Sequence, residues 1–234
     1  MTGLSNIVTN SYLILLLICH LLSDYYFQSQ KMADRKDQDI KVLGSHILYV
    51  ALPLFIVVLV HLDLWWICSL ILLSHAGIDY GKPRLQKKLK LKTSWTFALD
   101  QLLHIGIISC LVLLGAKNGT SYLPMDSLKL IFYVLLVGKP TNIVFKILFA
   151  KYQPNMKKKM DTITGAGSMI GFLERLVIGA CLLYGQFASI GLVFTAKSIA
   201  RYNKISENPA FAEYYLIGSL FSILSALFAA WLCL

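Results

Sequence analysis

The sequence predicts an all-α protein, a polytopic bundle of about eight transmembrane helices, and three observations predict it. Hydrophobic residues make up 57% of the 234-residue chain and charged residues only 15%, too little polar surface to coat a water-soluble globule of this size. The mean hydropathy is +0.65. Apolar runs of roughly 17 to 25 residues recur along the chain, and a helix needs about 20 to cross the hydrocarbon of a bilayer.

In chain order, helices are expected over 8–28, 42–60, 64–80, 95–115, 128–150, 167–186, 188–202 and 211–232, the third and seventh being short. The first run has no Lys or Arg before it and continues into Asp24-Tyr25-Tyr26-Phe27 rather than a small-residue cleavage site, so it reads as a retained helix. Aromatic residues Tyr25, Tyr26, Phe27, Trp65, Trp66 and Trp95 fall at predicted helix ends, where they anchor spans in the headgroup region. Gly167 and Gly171 form a GxxxG spacing that reads as plain packing. Residues 1–115 carry one polar set and residues 116–234 another, within a single membrane domain.

Short loops rich in Lys and Arg stay in the cytoplasm. Residues 29–41 hold Lys31, Arg35, Lys36 and Lys41; residues 81–94 hold Lys82, Arg84, Lys87, Lys88, Lys90 and Lys92. Lys151, Lys157, Lys158 and Lys159, then Arg201 and Lys204, repeat the pattern, whereas the intervening loops add little beyond Lys117. Both termini are therefore expected outside. The net charge of +10 reads as this loop bias beside anionic lipid, not as nucleic-acid binding. Cys19, Cys68, Cys110, Cys181 and Cys233 lie in apolar runs without a CxxC spacing and read as small core residues. Asn118-Gly119-Thr120 matches a glycosylation sequon but carries no weight by itself.

The chemistry-bearing pattern is in the first four helices. His20 and Asp24 are four apart, as are His75 and Asp79, so each pair shares a helical face. On the fourth helix the order reverses to Asp100 then His104, which suits a helix running the opposite way. Each His is expected roughly 8 to 13 Å inside the cytoplasmic helix end and each Asp roughly 2 to 8 Å, with His46 at the same level. Ionisable groups inside a bilayer are costly and usually mark function.

Imidazole and carboxylate together suit a divalent transition metal, zinc or manganese first, as one or two ions held by His20, Asp24, His46, His75, Asp79, Asp100 and His104. Asp24, Asp79 and Asp100 are also the candidates for activating water. Gln28 and Gln101 adjoin the set and would orient its ligands. His61 belongs to an external turn and is expected to be a spectator. In the second half, Lys139, Arg175, Lys197 and Arg201 are candidate anion-binding residues, against the plainer reading that Glu174 and Glu213 neutralise them.

The runs His20-Leu21-Leu22-Ser23-Asp24-Tyr25-Tyr26-Phe27-Gln28, His75-Ala76-Gly77-Ile78-Asp79-Tyr80 and Asp100-Gln101-Leu102-Leu103-His104 resemble a bacterial membrane family called domain of unknown function 3307. Ile170 to Arg175, Ala196 to Arg201 and Glu213 to Gly218 are similar to the C-terminal extension of its longer members. The resemblance implies a multi-pass protein of the bacterial cytoplasmic (inner) membrane and no established reaction. The leading expectation is a membrane-embedded metal-dependent hydrolase acting at the cytoplasmic leaflet on a membrane lipid or a phosphate-bearing amphiphile. A divalent-cation or proton-coupled transporter is the alternative; a non-catalytic scaffold or sensor that recruits a soluble partner is the third reading.

Overall fold

The computed structural model describes residues 10–116, 121–154, 163 and 165–234. Lys117, the sequon at Asn118 to Thr120, and the basic run Lys157, Lys158 and Lys159 lie outside the described residues. Every regular element among the described residues is helical, and six segments are long and apolar enough to cross a membrane. The protein is an all-helical membrane protein. The described chain divides into two compact units, one up to Leu135 and one from Leu136.

In the first unit, helix α1 (Ser11–Leu21) starts under Asn10, whose side chain accepts from the Tyr12 and Leu13 amides, the expected filling of orphan N-terminal donors. It widens into a π-helical turn over Leu22–Phe27. A short helix α2 (Gln30–Arg35), capped by Ser29, leads to α3 (Ile40–Val60), capped by Asp39. A 3-10 turn then enters α4 (Trp65–Leu89), and α5 (Thr93–Gly115) and α6 (Met125–Val137) follow.

Helix α1 is the core of this unit. Tyr12, Ile14, Leu16, Leu17, Ile18, Cys19 and Leu21 are all buried, as expected for a helix that is apolar all round, and it packs against α3 and α5. The outer helices each bury one stripe. On α4 the stripe is Ile67, Ile71, His75 and Asp79; on α5 it is Thr96, Asp100, His104, Ile108 and Val112. These are successive i, i+4 positions, so the polar residues continue the apolar stripe. The opposite faces expose Leu48, Leu52, Phe55 and Leu59 on α3 and Leu102, Leu113 and Leu114 on α5. Of the cysteines, Cys19, Cys68 and Cys233 are buried as expected, whereas Cys181 is half-buried and Cys110 is exposed.

Two differences from the sequence reading matter for the site. Helix α4, expected to end at residue 80, runs on to Leu89 through most of the basic segment, with Pro83 inside it. Lys, Arg, Gln and Leu are good helix formers. The helix stops only at Lys90, whose left-handed backbone (φ 48°) lets the Leu91 amide reach Gln86 O at 3.2 Å. The first helix, expected as a full span, is shorter than the six spanning segments.

The second unit comprises α7 (Lys139–Leu148), α8 (Ala166–Leu183), α9 (Phe187–Ile199), α10 (Tyr202–Glu207) and α11 (Pro209–Cys233). Helix α8 packs on α11, α9 and α7. The expected helix 128–150 is broken at Gly138, between α6 and α7. Pro140 lacks the amide that would bond Leu136 O, and the Thr141 hydroxyl donates to that oxygen instead at 2.7 Å.

Candidate metal centre

Four helices of the first unit bring seven chemistry-bearing side chains together: His20 and Asp24 from α1 and its π-turn, His46 from α3, His75 and Asp79 from α4, Asp100 and His104 from α5. All seven are buried, none more than 7% exposed. The His75 and His104 rings lie 4.2 Å apart, His20 and His104 5.2 Å, and His46 and His75 5.3 Å.

His46 Nε2 and His75 Nε2 face each other at 3.2 Å. Asp24 Oδ1 lies 3.6 Å from the first and 3.4 Å from the second; Asp79 Oδ2 lies 3.1 and 3.6 Å from them. A tetrahedral ion with bonds of 2.0–2.1 Å has donor-to-donor edges of about 3.3 Å, and these five separations bracket that value. Only one proton between the imidazoles can make their contact attractive, whereas a cation makes every contact attractive.

Buried polar atoms supply a second observation. Among the described residues, the buried side-chain N and O atoms without a hydrogen-bond partner are His20 Nδ1, Asp24 Oδ1, Gln28 Oε1, His46 Nδ1, Asp79 Oδ1, Asp100 Oδ1 and His104 Nε2. Six belong to the constellation, and the seventh to neighbouring Gln28. At about 1 to 3 kcal/mol for each orphan, the six together rival the stability of a whole domain. The donor types fit a divalent transition metal: imidazole nitrogens and carboxylate oxygens brought together in one buried cluster, with Asp24 Oδ1, Asp79 Oδ1, Asp100 Oδ1 and His104 Nε2 among the atoms left without a hydrogen-bond partner.

Gln101 orients the cluster. Its Oε1 accepts from Tyr25 Oη at 2.8 Å and His20 Nε2 at 3.2 Å, while its amide donates to Asp24 Oδ2 at 3.4 Å and Asp100 Oδ2 at 3.2 Å. Only this amide orientation gives both carboxylates a donor. The His20 proton then sits on Nε2 and its Nδ1 lone pair is left over. His104 Nδ1 donates to Asp100 O at 2.8 Å, leaving its Nε2 lone pair likewise.

Three participants were not expected from the sequence. Lys36, just after α2, is buried with its Nζ 2.8 Å from Asp79 Oδ2, and Lys82 lies 3.3 Å from Asp100 Oδ2. From sequence both read as loop charges, and nothing in their immediate sequence separates them from the other basic residues. Tyr25, read as an interfacial anchor, is instead 6% exposed and holds Gln101. Phe27, Trp65, Trp66 and Trp95 are exposed at helix ends as expected.

Two cavities reach the cluster. One of about 360 Å³ is lined by Lys36, Asp79, Tyr80, Arg84 and Lys87 among others. The other, about 320 Å³ and mostly apolar, is lined by Gly77, Gly81, Leu85 and Leu103, with Lys82 and Asp100 at its polar edge.

His61 closes α3, with Nδ1 3.4 Å from Tyr12 Oη and its ring stacked on Tyr122 at 5.0 Å. It lies fifteen residues along the chain from His46, about 22 Å along a helix.

In the second unit, Arg175 donates to Val137 O at 2.6 Å, Asn142 Oδ1 at 2.6 Å and Ser222 Oγ at 3.3 Å. Gly171 makes room for this guanidinium: a Cβ there would sit 3.1 Å from Arg175 Nη1. Lys197 donates to Glu174 Oε2 at 2.7 Å and Ser219 Oγ at 3.1 Å. Both cations are thus engaged by protein acceptors. Lys139 is exposed at the start of α7, Arg201 is half-buried before α10, and Glu213 is exposed.

The fold and site define a helical membrane protein with a buried His/Asp cluster in its N-terminal unit. The chain belongs to the family described as protein of unknown function (DUF3307), which matches residues 12–134, more than half its length. That stretch contains all seven residues of the cluster together with Tyr25, Lys36, Lys82 and Gln101, and the C-terminal extension accounts for the remaining chain. No curated protein and no solved structure matches it.

Proposed function

We propose that this protein is a membrane-embedded metal-dependent hydrolase acting at the cytoplasmic leaflet on a lipid or another phosphate-bearing amphiphile. The observation that carries the reading is the convergence of Asp24 Oδ1 and Asp79 Oδ2 on the facing His46 Nε2 and His75 Nε2 atoms, at separations of 3.1 to 3.6 Å, buried in an all-helical membrane protein.

A bound divalent ion would supply Lewis acidity and lower the pKa of water toward neutrality. The protein's own residues do the rest. Gln101 fixes His20, Asp24 and Asp100; Lys36 and Lys82 hold Asp79 and Asp100; a carboxylate oxygen that does not bind metal takes the proton from the attacking water. Hydrolysis balances without another reagent: water oxygen bonds to carbon or phosphorus, the ester oxygen leaves with the electron pair of the broken bond, and the proton passes to it. The apolar cavity beside Asp100 suits a hydrocarbon chain, and the cavity lined by Lys36, Arg84 and Lys87 suits an anionic headgroup.

In the membrane we place the Lys-rich end of α4 in the cytoplasm, both termini outside and eight helices in contact with the bilayer, in a bacterial inner membrane. Thiol labelling of cysteines introduced at Lys88 and Tyr122 tests that orientation from the two sides of intact cells. For the activity, protein purified in detergent without chelator is analysed for zinc, manganese and iron and incubated with dioctanoyl phosphatidic acid in mixed micelles. Stoichiometric metal and phosphate release, both lost in the His46→Gln, His75→Gln double variant, are the expected results. Wild-type protein that takes up none of these metals would overturn the proposal.

A further inference from the structure

We propose that the centre holds two divalent cations that share the Asp79 carboxylate, and that the loaded pair binds a phosphate group. The inference rests on the metal-dependent reading above and adds its nuclearity and its ligand class.

The first ion uses four protein donors, from His46, His75, Asp24 and the Oδ2 atom of Asp79. Three donors then remain on the α4–α5 side: Asp79 Oδ1, Asp100 Oδ1 and His104 Nε2, each buried and without a hydrogen-bond partner. Asp79, Asp100 and His104 offer ligand atoms that all lie within 4.8 Å of one another. A tetrahedral ion needs donor-to-donor edges of about 3.3 Å, so binding one here draws these side chains together by up to about 1.5 Å. The His104 lone pair is committed to this direction, because Nδ1 is tied to Asp100 O at 2.8 Å. The two lysines do not compete for these atoms: Lys36 and Lys82 contact the Oδ2 atoms of Asp79 and Asp100.

A carboxylate with one oxygen on each side is the usual bridge of two-ion sites, whose ions stand about 3.5 to 4 Å apart. The second ion has only three protein donors, and the apolar cavity reaches Asp100, so its shell stays open toward a ligand. Charge decides what that ligand is. Two divalent ions and the Lys36 and Lys82 ammonium groups, set against the three carboxylates, leave an excess of positive charge in a buried site. A phosphate or phosphate monoester compensates it; a neutral carboxylic ester does not.

Manganese is the probe. Full-length protein in detergent, stripped with chelator and then titrated with Mn²⁺, is followed by equilibrium dialysis and electron paramagnetic resonance. Wild type is expected to bind two equivalents with an exchange-coupled signal, and inorganic phosphate is expected to change that signal. His104→Gln is expected to bind half as much, with the uncoupled signal of an isolated ion, and Asp100→Asn serves in its place if the His104 variant fails to elute as a monodisperse peak. One equivalent in the wild type, or two retained in the variant, overturns the second ion while leaving the metal-dependent reading standing; none in the wild type overturns both. A coupled signal indifferent to phosphate overturns the ligand assignment.

Discussion

His75 is the residue on which the centre turns: its Nε2 lies 3.2 Å from His46 Nε2, 3.4 Å from Asp24 Oδ1 and 3.6 Å from Asp79 Oδ2. His75→Gln keeps a polar side chain of similar reach but removes the imidazole lone pair. Structural zinc sites with four protein ligands bind with about 10 to 16 kcal/mol. One ligand in four is then worth about 3 kcal/mol, or about two orders of magnitude in Kd. The assay is competition for Zn²⁺ against a chromophoric chelator in detergent. His61→Gln is the control, since His61 is equally buried yet engaged with Tyr12 and Tyr122 at the far end of α3, and its Kd should stay within about threefold of wild type. Equal losses in the two variants, or a His75→Gln affinity indistinguishable from wild type, would refute the reasoning.

Lys36→Met removes an ammonium whose carboxylate partner is 1% exposed, and stranding a buried charge costs about 3 to 5 kcal/mol. Chelated Lys36→Met should therefore melt well below chelated wild type, and saturating Zn²⁺ should recover most of the difference; a melt unaffected by both changes contradicts the pairing. Arg175→Met loses the hydrogen bonds to Val137 O, Asn142 Oδ1 and Ser222 Oγ, about 3 kcal/mol or more at charge-assisted strengths, so it should lower the melting temperature with no change in metal stoichiometry. Altered metal content would show that this network serves the centre. Mn²⁺ flux into proteoliposomes should not exceed that of lipid-only vesicles, and a flux abolished by Asp100→Asn would make the protein a carrier.

How much of this was legible beforehand depends on whether a residue's role follows from its own helix. The pairs His20/Asp24, His75/Asp79 and Asp100/His104 were readable because four residues in an α-helix return to the same face. The reversed order on α5 correctly anticipated that it runs antiparallel to α4. Lys36 and Lys82 were not readable, because charge counting assigns a basic residue to a loop without saying which way it turns. The π-turn over Leu22–Phe27 has no signal in its composition, although such turns are frequent at functional sites. The break at Gly138 did have one: Gly138-Lys139-Pro140 is helix punctuation, but the apolar character of its flanks favoured an uninterrupted span. Arg175 reads from sequence either as an anion-binding residue or as a cation neutralised by Glu174 or Glu213. Its partners, Val137, Asn142 and Ser222, come from three other segments that only folding assembles.

The layering of the first unit argues for a resident ion over a passing one. From the basic end inward, the order is ammonium groups of Lys36 and Lys82, then the carboxylates of Asp79 and Asp100, then the imidazoles of His75 and His104. Continuing along the same buried stripes, the next residues are Ile71, Cys68 and Ile67 on α4 and Ile108 and Val112 on α5, all at most 4% exposed. From His104 to Val112 is eight residues, about 12 Å of helix, lined on these two helices by aliphatic and thiol side chains. An ion crossing that distance would surrender the carboxylates and imidazoles and gain only the Cys68 sulfur from those stripes, and a poorly compensated charge in an apolar interior is costly. On the other side the two ammonium groups draw anions toward the centre and oppose the entry of bare cations. An ion bound there would be retained by these groups while the ammonium groups favour an anionic partner, the electrostatics that the proposed function requires.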